Sequence, residues 1–410
     1  MTVRLWSGST SRCTPRAAGS RPETKEARAI NITTFLENAE RIGIDHYAGV
    51  PDSQLSALCD HLLAVHGTGG RHVIAANEGA AVGIAAGHYL ASGRPGLVYL
   101  QNSGIGNAVN PICSLLNDAV YGIPVLFVIG WRGQPGVHDE PQHVFQGEVT
   151  LPLLDVLGIE TVVLGKETTE EELAAAFDRF AALFAAGRSA AFVVEKGALA
   201  GGLTGEYANT HPLSREQIVN TIVDATRPDD IIVSTTGKLS RELFEAREAR
   251  GQGHGADFLT VGSMGHSSMI ALGIALDAPG RRVLVLDGDG AVVMHTGSLA
   301  VLGASAPADL VHVVVNNEAH ESVGGMPTVG TTIDFPAMAR AFGYPHVFSA
   351  ADADELAAVL GEIDKLAGRG PVFVEVKSSI GARPDLGRPT TTPEENKRAF
   401  MVHVAEARGR

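Results

Sequence analysis

The chain has 410 residues, of which 45% are hydrophobic, and a formal net charge of −14 at pH 7. This length is sufficient for two or three domains with sizeable cores. The negative charge argues against nucleic acid or an anionic membrane as a partner, and no uninterrupted apolar stretch approaches the roughly 18 residues of a membrane helix.

Residues 1–28 differ in composition from the rest of the chain, because four arginines and no acidic residue precede Glu23. They lack the apolar segment of a secretory signal. Arginine and serine without acids are typical of a transit peptide, but Pro15, Gly19 and Pro22 interrupt any amphipathic helix. We therefore expect a disordered tail, or a start codon assigned too early.

From residue 30 onward, short apolar runs alternate with segments that have helical spacing. The runs are continuous rather than alternating in hydrophobicity, which predicts parallel sheets covered on both faces. We therefore expect an α/β protein with two doubly wound parallel-sheet domains. The predicted strands are 46–50, 72–75, 96–100, 125–129, 161–164, 191–195, 231–235, 257–261, 283–287, 311–316 and 372–376.

A glycine-rich stretch without periodicity, residues 197–205, continues to Pro212 and is typical of a linker. It divides the chain into halves of similar size with no obvious sequence repeat between them. We predict domains at residues 29–197 and 213–410, a linker at 198–212, and no central third domain.

Glu78 follows a predicted strand and begins a helix of small apolar residues. Burial among such residues would raise the pKa of its carboxyl group above the usual value, and such a group suits proton transfer near neutrality. The alternative is a helix N-terminal carboxylate that interacts with the helix dipole, with Asn77 as the cap.

Gly288, Asp289 and Gly290 follow one apolar run, and Asn316 and Asn317 follow another. The carboxyl ends of parallel strands bind ligands in open α/β sheets. The glycines let the backbone approach a phosphate, and the Asp289 carboxylate and the Asn317 amide oxygen are ligands suited to Mg²⁺. Together these residues predict a site for a metal and a diphosphate.

Glu78 ahead of these two motifs resembles the thiamine-diphosphate-dependent 2-oxoacid decarboxylases, with the pyrimidine-binding domain first and the diphosphate-binding domain second. Longer stretches narrow the resemblance to the phosphonopyruvate decarboxylase family, of which the sulfopyruvate decarboxylases are near relatives. These stretches are residues 49–53, 100–111, 131–143, 316–325 and 385–393.

The resemblance implies non-oxidative decarboxylation of 3-phosphonopyruvate to phosphonoacetaldehyde through the ylide of thiamine diphosphate, a step of phosphonate biosynthesis. An antibiotic or a phosphonolipid fits equally as the end product. Sulfopyruvate is the alternative substrate. The alternative function is regulation by a catalytically silent protein of the same fold. No GxGxxG motif opens a first βαβ unit, which argues against a nicotinamide-binding enzyme.

The resemblance also assigns the cofactor site. Glu78 would contact the pyrimidine ring, and Met264 would either support the bent cofactor or pack in the core. Mg²⁺ would be held by Asp289, Asn317 and the Ala319 carbonyl. The further residues expected to contact the cofactor are Thr236, Gly237, Gly288, Gly290 and Ala291.

A phosphonate and a carboxylate on the substrate require local cations in an acidic protein. Arg132, Lys238 and Arg383 are the candidates that we predict for the substrate, and Arg241 and Arg388 also lie in family-like segments. The predicted catalytic residues, besides Glu78, are Asp52, His138 and His320, with His143 and His266 as further histidines suited to proton delivery.

The family places each cofactor between two subunits, so the resemblance implies a homodimer or a higher homo-oligomer. Transketolase-like enzymes order the two domains the other way, and acetolactate-synthase-like enzymes have a central domain for which residues 200–212 leave no room. Cys13, Cys59 and Cys113 show neither metal-ligand spacing nor a disulfide framework. We therefore expect a cytoplasmic protein.

Overall fold

The computed structural model describes residues 29–408. The predicted tail, residues 1–28, and Cys13 within it lie outside the described residues. Two six-stranded sheets form the framework, one in each half of the chain, and all strand pairings within them are parallel. The α/β class predicted from the sequence is therefore confirmed.

The first half contains a short strand at each end and the six strands of its sheet between them. In chain order these strands are β1 (Ile30–Asn31), β2 (Tyr47–Gly49), β3 (His72–Ile74), β4 (Gly96–Gln101), β5 (Val125–Gly130), β6 (Glu160–Leu164), β7 (Ala190–Val194) and β8 (Leu199–Ala200). Its helices are α1 (Ile32–Arg41), α2 (Ser56–His66), α3 (Glu78–Ser92), α4 (Ile105–Pro111), α5 (Pro141–Val156) and α6 (Glu170–Ala185).

The second half repeats the alternation of strands and helices. Its strands are β9 (Ile231–Ser234), β10 (Asp257–Leu259), β11 (Val283–Gly288), β12 (Leu310–Asn316), β13 (Ala319–His320), β14 (Met326–Pro327), β15 (His346–Ala350) and β16 (Val372–Lys377). Its helices are α7 (Arg215–Asp224), α8 (Lys238–Ala249), α9 (Ser267–Asp277), α10 (Asp289–Met294), α11 (Gly297–Ser305), α12 (Phe335–Ala341), α13 (Ala353–Ile363) and α14 (Pro393–Arg408).

The two sheets have the same strand order. The first runs β3-β2-β4-β5-β7-β6 and the second β10-β9-β11-β12-β16-β15. In both, the order reverses beside the first strand, which leaves a crevice at the carboxyl ends of the strands where ligands bind in such folds. The candidate residues of each half therefore occupy equivalent edges of equivalent sheets.

Each sheet is buried on both faces, as continuous apolar strands require. In the first half, one cluster contains Phe35, Phe177 and Phe192, and a separate one contains Val98 and Phe127. The second half likewise has two distinct clusters around its sheet. Helices thus cover both faces, and only the strand ends are available to a ligand.

The structure adds strands that the sequence did not predict. Strand β15 lies at the sheet edge and is mostly half-buried, and the short β1 and β8 pair with each other where the linker was predicted to begin. Strands β13 and β14 form a small antiparallel hairpin after the second asparagine motif. Within residues 29–408 no helix is long and apolar enough to span a membrane.

Candidate active site

Glu78 is the first residue of α3 and is 5% exposed, and Asn77 caps the helix as the sequence predicted. Glu78 Oε2 accepts a 2.7 Å hydrogen bond from Asn107 Nδ2. A Cβ at Gly104 would overlap Glu78 Oε1, so the bare backbone of Gly104 makes room for the carboxyl group. Burial raises the pKa of Glu78, and the Asn107 hydrogen bond opposes that rise in part.

Asp52 lies at the carboxyl end of β2 and has no exposed surface. Its Oδ2 accepts a 3.2 Å bond from the Gln54 N–H at the start of a 3₁₀ turn, Ser53–Leu55, whereas its Oδ1 is buried without a partner. A Cβ at Gly130 would overlap Oδ2. Burial raises the pKa of Asp52 to about 6, although the charge of Arg132 opposes the rise.

Arg132 follows β5 and forms a two-point ion pair with Asp139, at 2.8 Å from Nε to Oδ2 and 2.5 Å from Nη2 to Oδ1. Asn102 fixes the Arg132 backbone through its side-chain amide. His138, in the same loop, is exposed. His143 is buried at the start of α5, where burial lowers its pKa.

Asp289 begins α10 directly after β11 and is 2% exposed. The Thr328 hydroxyl donates to its Oδ2. Burial raises the pKa of Asp289 to about 6, against the hydrogen bonds from Thr328 and the backbone. A Cβ at Gly330 would lie 2.7 Å from this oxygen, so the backbone of Gly330 can lie close to Asp289 only because it has no side chain.

Asn316 and Asn317 follow at the end of the neighbouring strand β12, as predicted. Asn316 Nδ2 donates to Glu375 Oε1 at 2.7 Å. Asn317 Nδ2 donates to Glu321 Oε2 at 2.8 Å, and Asn317 Oδ1 accepts from the Ala319 N–H at 3.2 Å. Glu318 between them has a φ of +63°, a left-handed conformation that costs energy for a residue with a side chain and is found at functional turns.

The amino end of α8 lacks a side-chain cap, because it is preceded by Gly237 at a φ of +97°. A Cβ at Gly237 would have only Ser322 Cβ near it, at 4.0 Å. Thr235 Oγ1, at the end of β9, is buried without a partner, and Thr236 Oγ1 donates to the Val261 carbonyl at 2.8 Å. Free N–H groups at a helix start and an unpaired hydroxyl form a place for phosphate oxygens.

Met264 and His320 both lie beside Gly290. A Cβ at position 290 would be 3.5 Å from Met264 Cε and 3.4 Å from two atoms of the His320 ring. Burial lowers the pKa of His320 to about 4, so its ring is neutral near pH 7. His266 is exposed and packs against the ring of His295.

These features fit a magnesium-bound diphosphate. A buried carboxylate, an amide oxygen and a backbone carbonyl are hard oxygen ligands of the kind that Mg²⁺ prefers, and they would be Asp289, Asn317 and Ala319. Within residues 29–408 no cluster of three or more His, Cys, Asp or Glu side chains could hold a metal. The predicted set includes only one residue of those types, so it depends on the amide and the carbonyl.

The three predicted substrate cations all have carboxylate partners. Arg132 pairs with Asp139, Lys238 Nζ lies 3.0 Å from Glu321 Oε1, and Arg383 pairs with Glu216, Glu245 and Asp385. Arg241 donates to the carbonyls of Leu386 and Gly387. A phosphonate would therefore have to displace or join a carboxylate at any of the three cations.

The two halves of one chain touch near these residues. Asn77 Nδ2, beside Glu78, donates to the Met294 carbonyl at the end of α10, at 3.1 Å. Arg388 Nη1 lies 2.5 Å from Glu140 Oε1. The direct contacts of the Glu78 carboxyl group lie in the first half, and those of Asp289 lie in the second.

Sequence reasoning missed the neighbours that hold the predicted residues. Asn107 lies in residues 100–111, a stretch on which the family resemblance depends, so it could have been predicted as a donor near Glu78. Thr328 and Glu375 are far along the chain from Asp289 and Asn316, and nothing in their local sequence identifies them. Asn209, in the predicted linker, donates to the carbonyls of Asn317 and Ser378, both at 3.0 Å.

Comparison with known families gives two matches. Residues 33–159 match the thiamine pyrophosphate enzyme N-terminal TPP binding domain, and residues 235–376 match the corresponding C-terminal TPP binding domain. The first contains Asp52 and Glu78, and the second contains Asp289 and Asn317.

Individual relatives match over most of the chain. The phosphonopyruvate decarboxylase of Streptomyces viridochromogenes is 37% identical over 92% of this chain and 95% of its own length. That of Streptomyces hygroscopicus is 35% identical over 92% of this chain and 94% of its own. The sulfopyruvate decarboxylase of Methanosarcina acetivorans is 26% identical over 75% of this chain and 81% of its own.

Proposed function

Because the chain belongs to the thiamine pyrophosphate enzymes and, within them, to the phosphonopyruvate decarboxylase family, we propose that it converts 3-phosphonopyruvate to phosphonoacetaldehyde and carbon dioxide. The observation that carries this proposal is identity of 35–37% to two such enzymes over 92% of the chain. The reaction is that of a carboxy-lyase and belongs to phosphonate biosynthesis.

Thiamine diphosphate, when bound, supplies the nucleophilic carbon and the electron sink for loss of carbon dioxide. Asp289, Asn317 and the Ala319 carbonyl would hold its diphosphate through Mg²⁺. The free N–H groups at the start of α8 and the Thr235 hydroxyl offer further donors.

Glu78 would exchange a proton with the pyrimidine ring of the cofactor. Asn107 already donates to Oε2, so the proton of a neutral Glu78 resides on Oε1, beside Gly104. Burial raises the pKa of this carboxyl group, which makes the neutral form more accessible near working pH. Replacement by glutamine would keep the shape and remove the exchangeable acid.

Asp52 and Arg132 form the substrate side of the first half. The Asp52 carboxyl group lies against Gly130 at the end of β5, two residues before Arg132, and the charge of Arg132 opposes the rise that burial causes in the pKa of Asp52. We assign proton delivery to the product to Asp52, whose Oδ1 has no partner, and phosphonate binding to Arg132. A guanidinium fork matches phosphonate oxygens at two points.

We also propose a homo-oligomer with sites between subunits. Helix α3 exposes Gly83, Gly87 and Leu90, the last at 74%. Phe145 on α5 is 70% exposed and Leu276 on α9 is 61% exposed. Exposed apolar and small residues on helices that flank both candidate sites suit a second copy of the chain. The free thiols of Cys59 and Cys113 suit the reducing cytoplasm, where we place the protein.

The test is aldehyde formation by purified protein given phosphonopyruvate, sulfopyruvate or pyruvate, with and without thiamine diphosphate and Mg²⁺ after removal of bound cofactor. We expect turnover of phosphonopyruvate that requires both additions. Glu78→Gln should lower the rate by about 10²–10⁴-fold. The matched control is Glu170→Gln, a change at the first residue of α6, where the glutamate is exposed.

Sulfopyruvate is the second candidate substrate, because the chain also matches a sulfopyruvate decarboxylase over 75% of its length. Preference for sulfopyruvate would keep the reaction and overturn the substrate. No turnover of any of the three acids by protein with bound cofactor would favour a catalytically silent role.

A further inference from the structure

Glu321 joins the predicted metal ligand Asn317 to two cations. Its Oε2 accepts from Asn317 Nδ2 at 2.8 Å and from Arg215 Nη1 at 2.6 Å. Its Oε1 accepts from Lys238 Nζ at 3.0 Å. The Glu321 side chain is 8% exposed, so these contacts rather than water decide where the carboxylate lies.

Arg215 is in turn fixed by Glu242. The Arg215 guanidinium donates from Nε to Glu242 Oε2 at 2.6 Å and from Nη2 to Oε1 at 2.7 Å. Arg215 is 6% exposed and Glu242 is 2% exposed. Two-point charged hydrogen bonds of this kind are strong and directional, so α7 and α8 together set the position of Glu321.

An ionised carboxylate selects one orientation of the Asn317 amide. A carboxylate only accepts hydrogen bonds, and a primary amide has one donating end and one accepting end. Glu321 therefore attracts the NH₂ group of Asn317 and repels its oxygen. A flipped amide would present NH₂ where an oxygen is needed, and Mg²⁺ binds oxygen ligands.

We propose that Glu321, held by Arg215, is a positioning residue that turns the Asn317 amide oxygen toward the Mg²⁺ of the cofactor. This inference rests on the proposed function through Asn317. Glu242 fixes the position of Arg215, Arg215 fixes that of Glu321, and Glu321 orients Asn317. Lys238 draws the second Glu321 oxygen to the start of α8, where the diphosphate is expected.

The test is Glu321→Ala, which removes the acceptor of the Asn317 NH₂ group. Arg215 keeps its two bonds to Glu242, but no carboxylate then holds the Asn317 amide in one orientation. We expect the Mg²⁺ concentration for half-maximal thiamine diphosphate binding to rise about 10–100-fold. Calorimetric titration measures this without turnover. Saturating Mg²⁺ should restore most of kcat.

A second variant separates orientation from loss of structure. When Asn317→Asp is combined with Glu321→Ala, the aspartate offers an oxygen at both ends. One of its oxygens then faces the metal in either orientation. We expect the double variant to need less Mg²⁺ than Glu321→Ala. Glu362→Ala, at a residue in an exposed ion pair with Lys365, is the matched control and should behave as the wild type.

Three results would overturn the inference alone. The first is an unchanged Mg²⁺ requirement in Glu321→Ala when the wild type binds cofactor in a Mg²⁺-dependent way. The second is a lower unfolding temperature of the apoprotein as the sole effect of that change. The third is a double variant no better than Glu321→Ala. A wild type whose cofactor binding ignores Mg²⁺ would overturn the inference and the proposed metal site together.

Discussion

Asp52 is a buried carboxyl group whose charge is not balanced by a direct ion pair within residues 29–408. It has no exposed surface, and Oδ1 has no partner. A buried polar atom without a hydrogen bond is costly, and such costs are retained mainly where activity requires them. The stability of the protein should therefore depend on the ionisation of Asp52.

The pH dependence follows from the raised pKa. Asp52 titrates at about 6 in the folded protein against 3.8 in the reference state. The folded protein thus binds this proton more tightly than the unfolded chain, so stability is greatest below about pH 4 and falls as the pH rises to about 6. The full loss corresponds to about 3 kcal/mol.

Asp52→Asn removes this ionisation and should stabilise the apoprotein at pH 7. We expect the difference in unfolding temperature between variant and wild type to be smallest near pH 4 and to grow up to about pH 6. Scanning calorimetry of the cofactor-free proteins between pH 4 and 8 measures it. A constant difference across this range would contradict the assignment. The variant should also lose turnover, because it lacks the acid.

Individual residues were predictable to the extent that their chemistry is local. Glu78 at a helix start after a strand, and Asp289 between two glycines, are visible in the sequence. Asn107 donates to Glu78 and Thr328 donates to Asp289, and both donors are far along the chain from the residues that they hold. The sequence therefore predicts the side chains of the site, whereas their hydrogen-bonding neighbours are known only from the fold.

The turn from β4 into α4 shows how a structural element can act on a distant side chain. Gly104 is the last residue before α4, and it has an ordinary φ of −82°. The backbone does not require glycine there. The requirement comes from the Glu78 carboxyl group, which occupies the space of a Cβ.

Gly104→Ala should therefore reduce turnover by displacing Glu78, with only modest loss of helix stability. Gly106→Ala is the matched control, because Gly106 is in the same helix and a Cβ there would meet nothing within 4 Å. We expect the control to keep its activity and to gain slightly in stability from the better helix former, by up to about 1 kcal/mol. Steady-state rates and unfolding temperatures of both variants decide this, and equal activities would refute the steric role of Gly104.

Elements were predictable where an apolar run marks the strand. The eleven predicted strands follow such runs, and each corresponds to a strand of the structure. Strand β15 was missed because His346–Ala350 has no such run, whereas β6, an edge strand with the same burial, has one. The pairs β1–β8 and β13–β14 are two-residue strands held by long-range or hairpin pairing, which local hydrophobicity does not report.

At the scale of the whole molecule, the proposed oligomer decides which two halves form one site. Asn77 touches Met294 within a single chain, and Leu90 and Phe145 are apolar side chains exposed on helices. The proposed arrangement has Glu78 of one subunit and Asp289 of another in each site. The domain boundaries at 29–197, 198–212 and 213–410 remain predictions.

Mixing Glu78→Ala with Asp289→Ala discriminates between the two arrangements. If sites lie between subunits of a dimer, half of the dimers in an equal mixture are hybrids, and each hybrid regains one intact site. We expect about a quarter of wild-type activity after full exchange. Light scattering and differently tagged subunits verify assembly and exchange. Failure of a verified hybrid to react would show that each site is built from one chain.

The shared strand order of the two sheets has an evolutionary consequence. Two halves with the same winding and no obvious sequence repeat are what tandem duplication of one ancestral module produces after long divergence. Each sheet has a crevice at the same edge, and a crevice accepts new side chains without a new scaffold. In this interpretation the first domain became specialised for proton exchange and the second for neutralising phosphate charge.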